Sequence, residues 1–299
     1  MTAAIGYALA AMVLYGLGDF VFKRGATGPF ETHQFIMMQS AAFLSMVILY
    51  GLATESLVAM PAVAWGLVAG VFMFVGFNCF ALSLQHGNVS INAPIFRLNF
   101  IVTAVLAVGL LGEPVTVPKL AGLGLALVAI RLLVGSARGG LPRGAHENNA
   151  SGAKRVEITA AGRLSLVLVV IATLALGTGN VVHKIGLSHG APLASLLAAH
   201  SAVYLTLATV IAVRADAGIV IPRAAWPYAL SGAATTMGGF VMLLSALAVA
   251  NASVVVPIAQ MGLVVSALLG VAVLGEPFTP RKAAGMVLAV TALGLLAMS

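Results

Sequence analysis

The stretch GLGDFVFKRG at residues 16–25 recurs as GTGNVVHKIG at residues 177–186, and this duplication determines the architecture of the chain. The two stretches align when the residue number is raised by 161, the difference between 16 and 177. Three glycines and a lysine then coincide: Gly16, Gly18, Lys23 and Gly25 with Gly177, Gly179, Lys184 and Gly186. This spacing indicates that the chain contains two copies of one ancestral unit.

Matches on either side of these stretches extend the repeat. The turn Gly112-Glu113-Pro114 returns as Gly275-Glu276-Pro277, at an offset of 163 residues. Compositional bias would scatter Gly and Ala matches, but it would not place less common residues in the same order. The further matches are Trp65 with Trp226, and Asn88, Ser90, Pro94, Ile95, Lys119 and Gly122 with Asn251, Ser253, Pro257, Ile258, Lys282 and Gly285.

The composition identifies an integral membrane protein. Of the 299 residues, 61% are hydrophobic and 8% are charged, and the mean hydropathy is +1.09. A soluble domain carries about 25% charged residues, so lipid must cover most of this surface. Cys79 is the only cysteine, which excludes internal disulfides and multi-cysteine metal sites. No basic stripe with interleaved aromatics points to nucleic acid, and no Gly-Lys-Ser/Thr phosphate loop follows the glycines.

Hydropathy predicts an all-α integral membrane protein with ten transmembrane helices. The polar, Gly-rich and basic segment 136–163 divides it into a first five-helix repeat, 1–135, and a second five-helix repeat, 164–299. Because each half holds an odd number of spans, the second half enters the membrane from the opposite side. The predicted spans are 3–23, 32–52, 63–84, 91–111, 118–135, 164–184, 192–213, 225–247, 254–274 and 282–298.

Two inverted repeats are typical of secondary transporters, whose substrate site lies near the membrane midplane between the repeats. The positive-inside rule places the linker in the cytoplasm and both termini outside. Lys and Arg concentrate in the loops on the side of the linker, whereas the opposite side holds only Lys119 and Lys184.

The repeats, the Lys23 motif of span 1 and the Leu-Gly-Glu-Pro turn together resemble the drug/metabolite transporter superfamily, and within it the EamA-type ten-helix exporters. The stretch HGNVSI at residues 86–91 is similar to one in bacterial aromatic amino-acid exporters of this group. The resemblance implies export of amino acids or related metabolites without ATP. It also implies a cavity lined by spans 1–4 and 6–9. Many members of the group carry cytoplasmic termini, whereas the charge count here places them outside.

Arg97 is the most conspicuous candidate for a substrate-binding residue. A charged side chain inside a span costs about 2.5 kcal/mol or more, so it usually faces a partner or a wet cavity. Arg97 either holds a substrate carboxylate or forms a structural salt bridge, and Gln260 is its equivalent in the second repeat. Asp19 is either a counter-ion or proton carrier, or it pairs with Lys23 one helical turn away.

The remaining polar residues of the spans have competing interpretations. Pro94 and Pro257 predict helix breaks at equivalent positions, which often mark a transport site. His183 and His200 either shuttle protons or are hydrogen-bonded structural residues. We assign substrate binding to Asn78, Asn99, Tyr204 and His200 beside Arg97 and Gln260. Coupling or gating is assigned to Asp19, His183, Lys23 and Lys184.

The sequence therefore predicts a secondary transporter that exports amino acids or related small metabolites across the bacterial inner membrane by alternating access. The alternative is a multidrug or organic-cation exporter of the same fold. A membrane-embedded enzyme fits less well, because the chain has only eight Asp and Glu residues. We expect no cofactor, metal or nucleic acid. The expected partners are a small-molecule substrate and the lipid bilayer, with the chain a monomer or weak homodimer.

Overall fold

A computed structural model describes residues 2–26, 29–86, 92, 95–135, 160–274 and 278–298. Apolar segments in lipid must satisfy their backbone groups internally, and the described residues accordingly form helices without strands. The first repeat holds α1 (Thr2–Ala26), α2 (Thr32–Ala53), α3 (Ala64–His86), α4 (Asn99–Leu111) and α5 (Val117–Gly135). The second holds α6 (Ala160–Ser188), α7 (Leu193–Asp216), α8 (Trp226–Val249), α9 (Ala252–Gln260), α10 (Gly262–Leu274) and α11 (Pro280–Ala297).

These helices confirm the predicted all-helical membrane architecture of two inverted repeats. Eight segments of the described chain are long and apolar enough to cross a membrane, and Ile95–Leu111 is a shorter apolar helix. Span 9, predicted as one helix, is divided into α9 and α10. Residues 136–159 of the predicted linker lie outside the described residues, so the domain boundaries stay a prediction.

The helices of one repeat pack against the other repeat in matching pairs. Helix α1 packs against α8 and α10, and its equivalent α6 packs against α3 and α4. Two further contacts join equivalent helices directly, α2 with α7 and α5 with α11, and α4 contacts α9, the first half of the equivalent span. Such a pattern is that of a pseudo-two-fold axis running through the centre of the bundle.

Polar contacts at both ends of α2 and α7 show that these equivalent helices run in opposite directions. At the start of α2, His33 Nε2 and Gln34 Nε2 each lie 2.9 Å from a carboxylate oxygen of Asp216, which ends α7. At the other end, Ser195 near the start of α7 donates its hydroxyl to the Ser56 carbonyl at 2.9 Å. The inversion inferred from the number of spans is therefore visible in side-chain contacts.

Two equivalent glycines bring the repeats into close contact. A Cβ atom at Gly16 would lie 2.5 Å from the carbonyl oxygen of Gly262, and one at Gly177 would lie 2.8 Å from that of Asn99. Asn99 and Gly262 are themselves equivalent at the offset of 163. Small residues at a helix interface let backbones approach closely, so α1 and α6 can reach the helix breaks of the opposite repeat.

The Gly112-Glu113-Pro114 turn has a structural role across the repeats. The buried Glu113 carboxylate accepts hydrogen bonds from the backbone N–H of Ala252 at 2.6 Å and of Ser253 at 2.9 Å, and from the Ser253 hydroxyl. Its negative charge thus caps the start of α9, where the helix dipole favours an anion. Lys184 donates to the carbonyls of Leu247 at 2.5 Å and Ala250 at 2.9 Å, at the end of α8. A negative group from the α4–α5 turn and a positive group from α6 therefore both contact the α8–α9 turn.

Candidate functional site

Arg97 lies at the centre of the bundle, where α1, α4 and α9 meet. Its Nη2 donates to Asp19 Oδ2 at 2.5 Å, and its Nη1 donates to Gln260 Oε1 at 3.3 Å. Arg97 and Gln260 are equivalent at the offset of 163, so the pseudo-two-fold axis passes between them. Three residues predicted to be functional thus converge at one point.

The acidic partner of Arg97 comes from the opposite end of the first repeat's sequence. Asp19 and Arg97 are separated by 78 positions, and the Gly16–Gly262 contact brings α1 to the site one turn before Asp19. The Arg97 side chain is 19% exposed and the Asp19 side chain 38% exposed. Asp19 therefore has an open side in addition to its contact with Arg97.

Broken helices surround this ion pair in both repeats. In the second repeat, Pro257 lies inside α9, and the helix stops after Gln260 at the turn residue Met261. In the first repeat, Leu98 is the corresponding turn residue before α4. The two turns share the same hydrogen bonds: Leu98 N–H to the Ile95 carbonyl at 2.9 Å, and Met261 N–H to the Ile258 carbonyl at 3.1 Å. Pro94 lies outside the described residues.

A chain of rings, which we call the aromatic arc, runs from Phe96, the residue before Arg97 in the sequence, to Tyr15 on α1. Phe96 precedes Arg97 and stacks on Phe80 with ring centroids 3.9 Å apart. Tyr15 lies one helical turn before Asp19 and meets Phe240 edge-on at 5.8 Å. Phe77 lies 6.1 Å from Phe96, and the centroid distances from Phe77 to Tyr204, from Tyr204 to His200 and from His200 to Phe240 are 6.4, 6.3 and 5.2 Å. His183 lies 5.1 Å from His200. The aromatic arc consists of Phe96, Phe80, Phe77, Tyr204, His200, His183, Phe240 and Tyr15.

The two histidines of the aromatic arc are buried, and three of their four ring nitrogens have no hydrogen-bond partner among the described residues. Their ring centroids are 5.1 Å apart, and side-chain exposure is 0% for His183 and 3% for His200. Within the described part of the chain, neither ring nitrogen of His183, nor Nδ1 of His200, has a hydrogen-bond partner. Both interpretations of His183, as a proton shuttle and as a hydrogen-bonded structural residue, stay predictions.

The other predicted residues occupy different surroundings. Asn99 is buried, and its amide donates to the Phe96 carbonyl at 2.9 Å, which supports the turn that carries Arg97. Asn78 is partly buried on α3. Lys184 lies at the α8–α9 turn rather than beside Arg97. Lys23 belongs to α1, and its side chain lies outside the described residues.

Two cavities lie elsewhere in the bundle, and neither is lined by Asp19, Arg97 or Gln260. One of about 290 Å³ lies between α4 and α6 and is almost entirely apolar. The other, of about 210 Å³, lies beside α1, the α8–α9 turn and α11. Among the described His, Cys, Asp and Glu residues, no group of three could hold a metal ion.

The fold and the paired helix breaks define a multi-pass membrane protein of the inverted-repeat class. The chain belongs to the EamA-like transporter family, whose family model matches residues 2–135 and 163–298. It is accordingly a membrane transporter of small molecules. A solved structure titled "Crystal structure of protein" is similar in fold, with a TM-score of 0.76 at 14% identity, over 100% of this chain and 97% of that one. A search of curated protein sequences finds no match.

Proposed function

We propose that this transporter exports amino acids or related small metabolites across the bacterial inner membrane by alternating access. The observation that carries the proposal is the position of Arg97 on the pseudo-two-fold axis, between Asp19 and Gln260. A site on the axis lies between the two repeats, so their rocking motion can expose it to either side in turn.

Arg97 is suited to recognise a carboxylate. A guanidinium group offers a planar fork of donors that matches a carboxylate in bidentate geometry. Here one donor faces Asp19 and another faces an amide oxygen. A substrate carboxylate would form stronger contacts than the neutral Gln260 amide, because charge-assisted hydrogen bonds are about twice as strong as neutral ones.

The contact between Asp19 and Arg97 supports a charge-balancing role for Asp19. An isolated arginine in a membrane-spanning helix is costly, and a nearby carboxylate offsets that cost. We therefore propose facilitated diffusion or exchange down a metabolite gradient, without an obligatory proton. Proton coupling through Asp19 or His183 is the alternative, and it predicts that accumulation depends on a pH gradient.

A second candidate substrate class is organic cations. The observation that favours it is the 38% exposure of the Asp19 side chain, against 19% for Arg97, together with the rings of the aromatic arc. Carboxylates and aromatic faces both attract ammonium groups. The positive charge of Arg97 next to Asp19 opposes this class, so we place it second.

Uptake into proteoliposomes tests the proposed function directly. The purified full chain would be given a panel of labelled amino acids, with and without a pH gradient, in competition with tetraphenylphosphonium. We expect uptake of at least one amino acid that unlabelled amino acids inhibit and the lipophilic cation does not. Inhibition by the cation alone would favour the second class instead.

A further inference from the structure

The central site contains one positive and one negative group, each within reach of the same incoming molecule. Arg97 and Asp19 neutralise one another at 2.5 Å. Asp19 comes from α1 and Arg97 from the turn before α4, so each is carried by a different element. Separating the two side chains would expose a cation and an anion that face each other across a gap.

We propose that the substrate is a zwitterion that inserts between Arg97 and Asp19, with its carboxylate on Arg97 and its ammonium group on Asp19. This inference rests on the proposed function and names the charge class that the site selects. The single ion pair of the empty site is exchanged for two ion pairs, so no charge is left without a partner. In the empty site Asp19 occupies the place that the substrate carboxylate takes.

The exchange explains why other charge classes are disfavoured. A simple anion would take Arg97 and leave the Asp19 carboxylate unpaired, whereas a simple cation would take Asp19 and leave Arg97 unpaired. An unpaired charge in a low-dielectric surrounding is unfavourable. The ion pair thus acts as a filter that requires both charges in one molecule.

Three sets of labelled probes, matched by side chain, test the filter in proteoliposomes. The first contains L-phenylalanine, L-leucine and L-threonine. The second contains the corresponding acids without the amino group, and the third contains the corresponding amines without the carboxyl group. Wild type, Asp19→Asn, Asp19→Glu and Arg97→Gln are compared by counterflow, with Asp216→Asn as a control for an aspartate paired elsewhere. Thermal unfolding in detergent establishes that each variant is folded.

Wild type and Asp216→Asn should prefer the amino acids over both other sets by about tenfold or more. Asp19→Asn should shift the preference towards the acids, and Arg97→Gln towards the amines. Asp19→Glu keeps the negative charge, so it should keep the zwitterion preference even if Asp19→Asn fails to fold.

Two results would overturn the inference in distinguishable ways. If wild type moves amino acids but Asp19→Asn and Arg97→Gln keep its charge preference, the filter is wrong and the proposed function stands. If wild type transports none of the three sets, the filter is wrong. The filter is also wrong if wild type transports the amines or the acids as well as it transports the amino acids. In the case where no amino acid moves, the proposed function fails with it.

Discussion

Arg97 and Gln260 hold equivalent positions in the two repeats and are hydrogen-bonded to each other, Nη1 to Oε1 at 3.3 Å. Equivalent residues can touch only where the pseudo-two-fold axis passes between them. The two repeats therefore contribute different groups at the axis. The first repeat supplies the Arg97 cation and the second supplies the Gln260 amide. Asp19 is a second difference between the repeats, because its equivalent is the neutral Asn180. The Asn180 Nδ2 donates to Thr103 Oγ1 at 3.4 Å.

Replacing Glu113 by glutamine should destabilise the fold. The glutamine side chain has one acceptor oxygen where the carboxylate has two, because its NH2 group can only donate. It also lacks the negative charge that favours the start of α9. We expect a loss of about 1–3 kcal/mol in unfolding free energy, measured as a lower thermal unfolding midpoint in detergent. Glu55→Gln is the control, because Glu55 is exposed and should change little. Equal midpoints for both variants would contradict the capping role.

Gly16→Ala should disturb both stability and transport. Its Cβ would lie 2.5 Å from the Gly262 carbonyl oxygen, so α1 must move away and carry Asp19 with it. Overpacking of this kind costs about 1–3 kcal/mol. Gly6→Ala, on the same helix with nothing within 4 Å of the added Cβ, is the matched control. We expect Gly6→Ala to unfold and to transport like wild type, and Gly16→Ala to unfold at a lower temperature and to take up substrate more slowly. A larger loss for Gly6→Ala than for Gly16→Ala would contradict this role of Gly16.

His183→Leu separates a structural role from a coupling role. Burying an imidazole without hydrogen bonds is unfavourable, so an apolar replacement should leave the unfolding free energy unchanged or raise it by about 1 kcal/mol. We also expect counterflow exchange to persist. Selective loss of accumulation driven by a pH gradient, with exchange intact, would identify His183 as a coupling residue. The proteoliposome assay proposed above measures both exchange and gradient-driven accumulation.

Cysteine labelling tests the orientation predicted from the distribution of Lys and Arg. In a Cys79→Ser background, Glu55→Cys in the α2–α3 loop should react with a membrane-impermeant maleimide added to intact cells. Arg223→Cys, before α8, should react only after permeabilisation. Both positions are exposed in the structure, so accessibility within the protein does not decide the result. The opposite labelling pattern would place the termini in the cytoplasm.

The repeat and the spans could be predicted from the sequence because lipid imposes long apolar segments and duplication preserves residue spacing. The inverted symmetry makes Arg97 and Gln260 equivalent, but their contact could not be predicted, because it also requires both residues to lie at the axis. The sequence offered Asp19 as a counter-ion without identifying its partner, since the Arg97–Asp19 pair joins residues 78 positions apart and depends on the close approach of α1 at Gly16. Local spacing favoured Lys23 as the partner of Asp19, and only the packing of α1 against α10 revealed another.

Two other features had weak or absent signals in the sequence. The Gly-Glu-Pro turn was recognised as a motif, but its contact with Ala252 and Ser253 depends on how the repeats interlock. The aromatic arc draws on several helices from both repeats, so no linear spacing marks it. Its signal was limited to single residues such as Tyr204 and His200, whose proximity became clear in three dimensions.

Uptake by Arg97→Gln shows whether Arg97 binds the transported molecule. The double variant Asp19→Asn/Arg97→Gln removes both charges, which guards against instability from an unpaired carboxylate. Thermal unfolding should show that both variants are folded. Both should take up labelled amino acids at least about tenfold more slowly than wild type, because a charged hydrogen bond to the substrate is lost. If folded Arg97→Gln took up every transported amino acid as fast as wild type, the proposed substrate-binding role of Arg97 would be wrong.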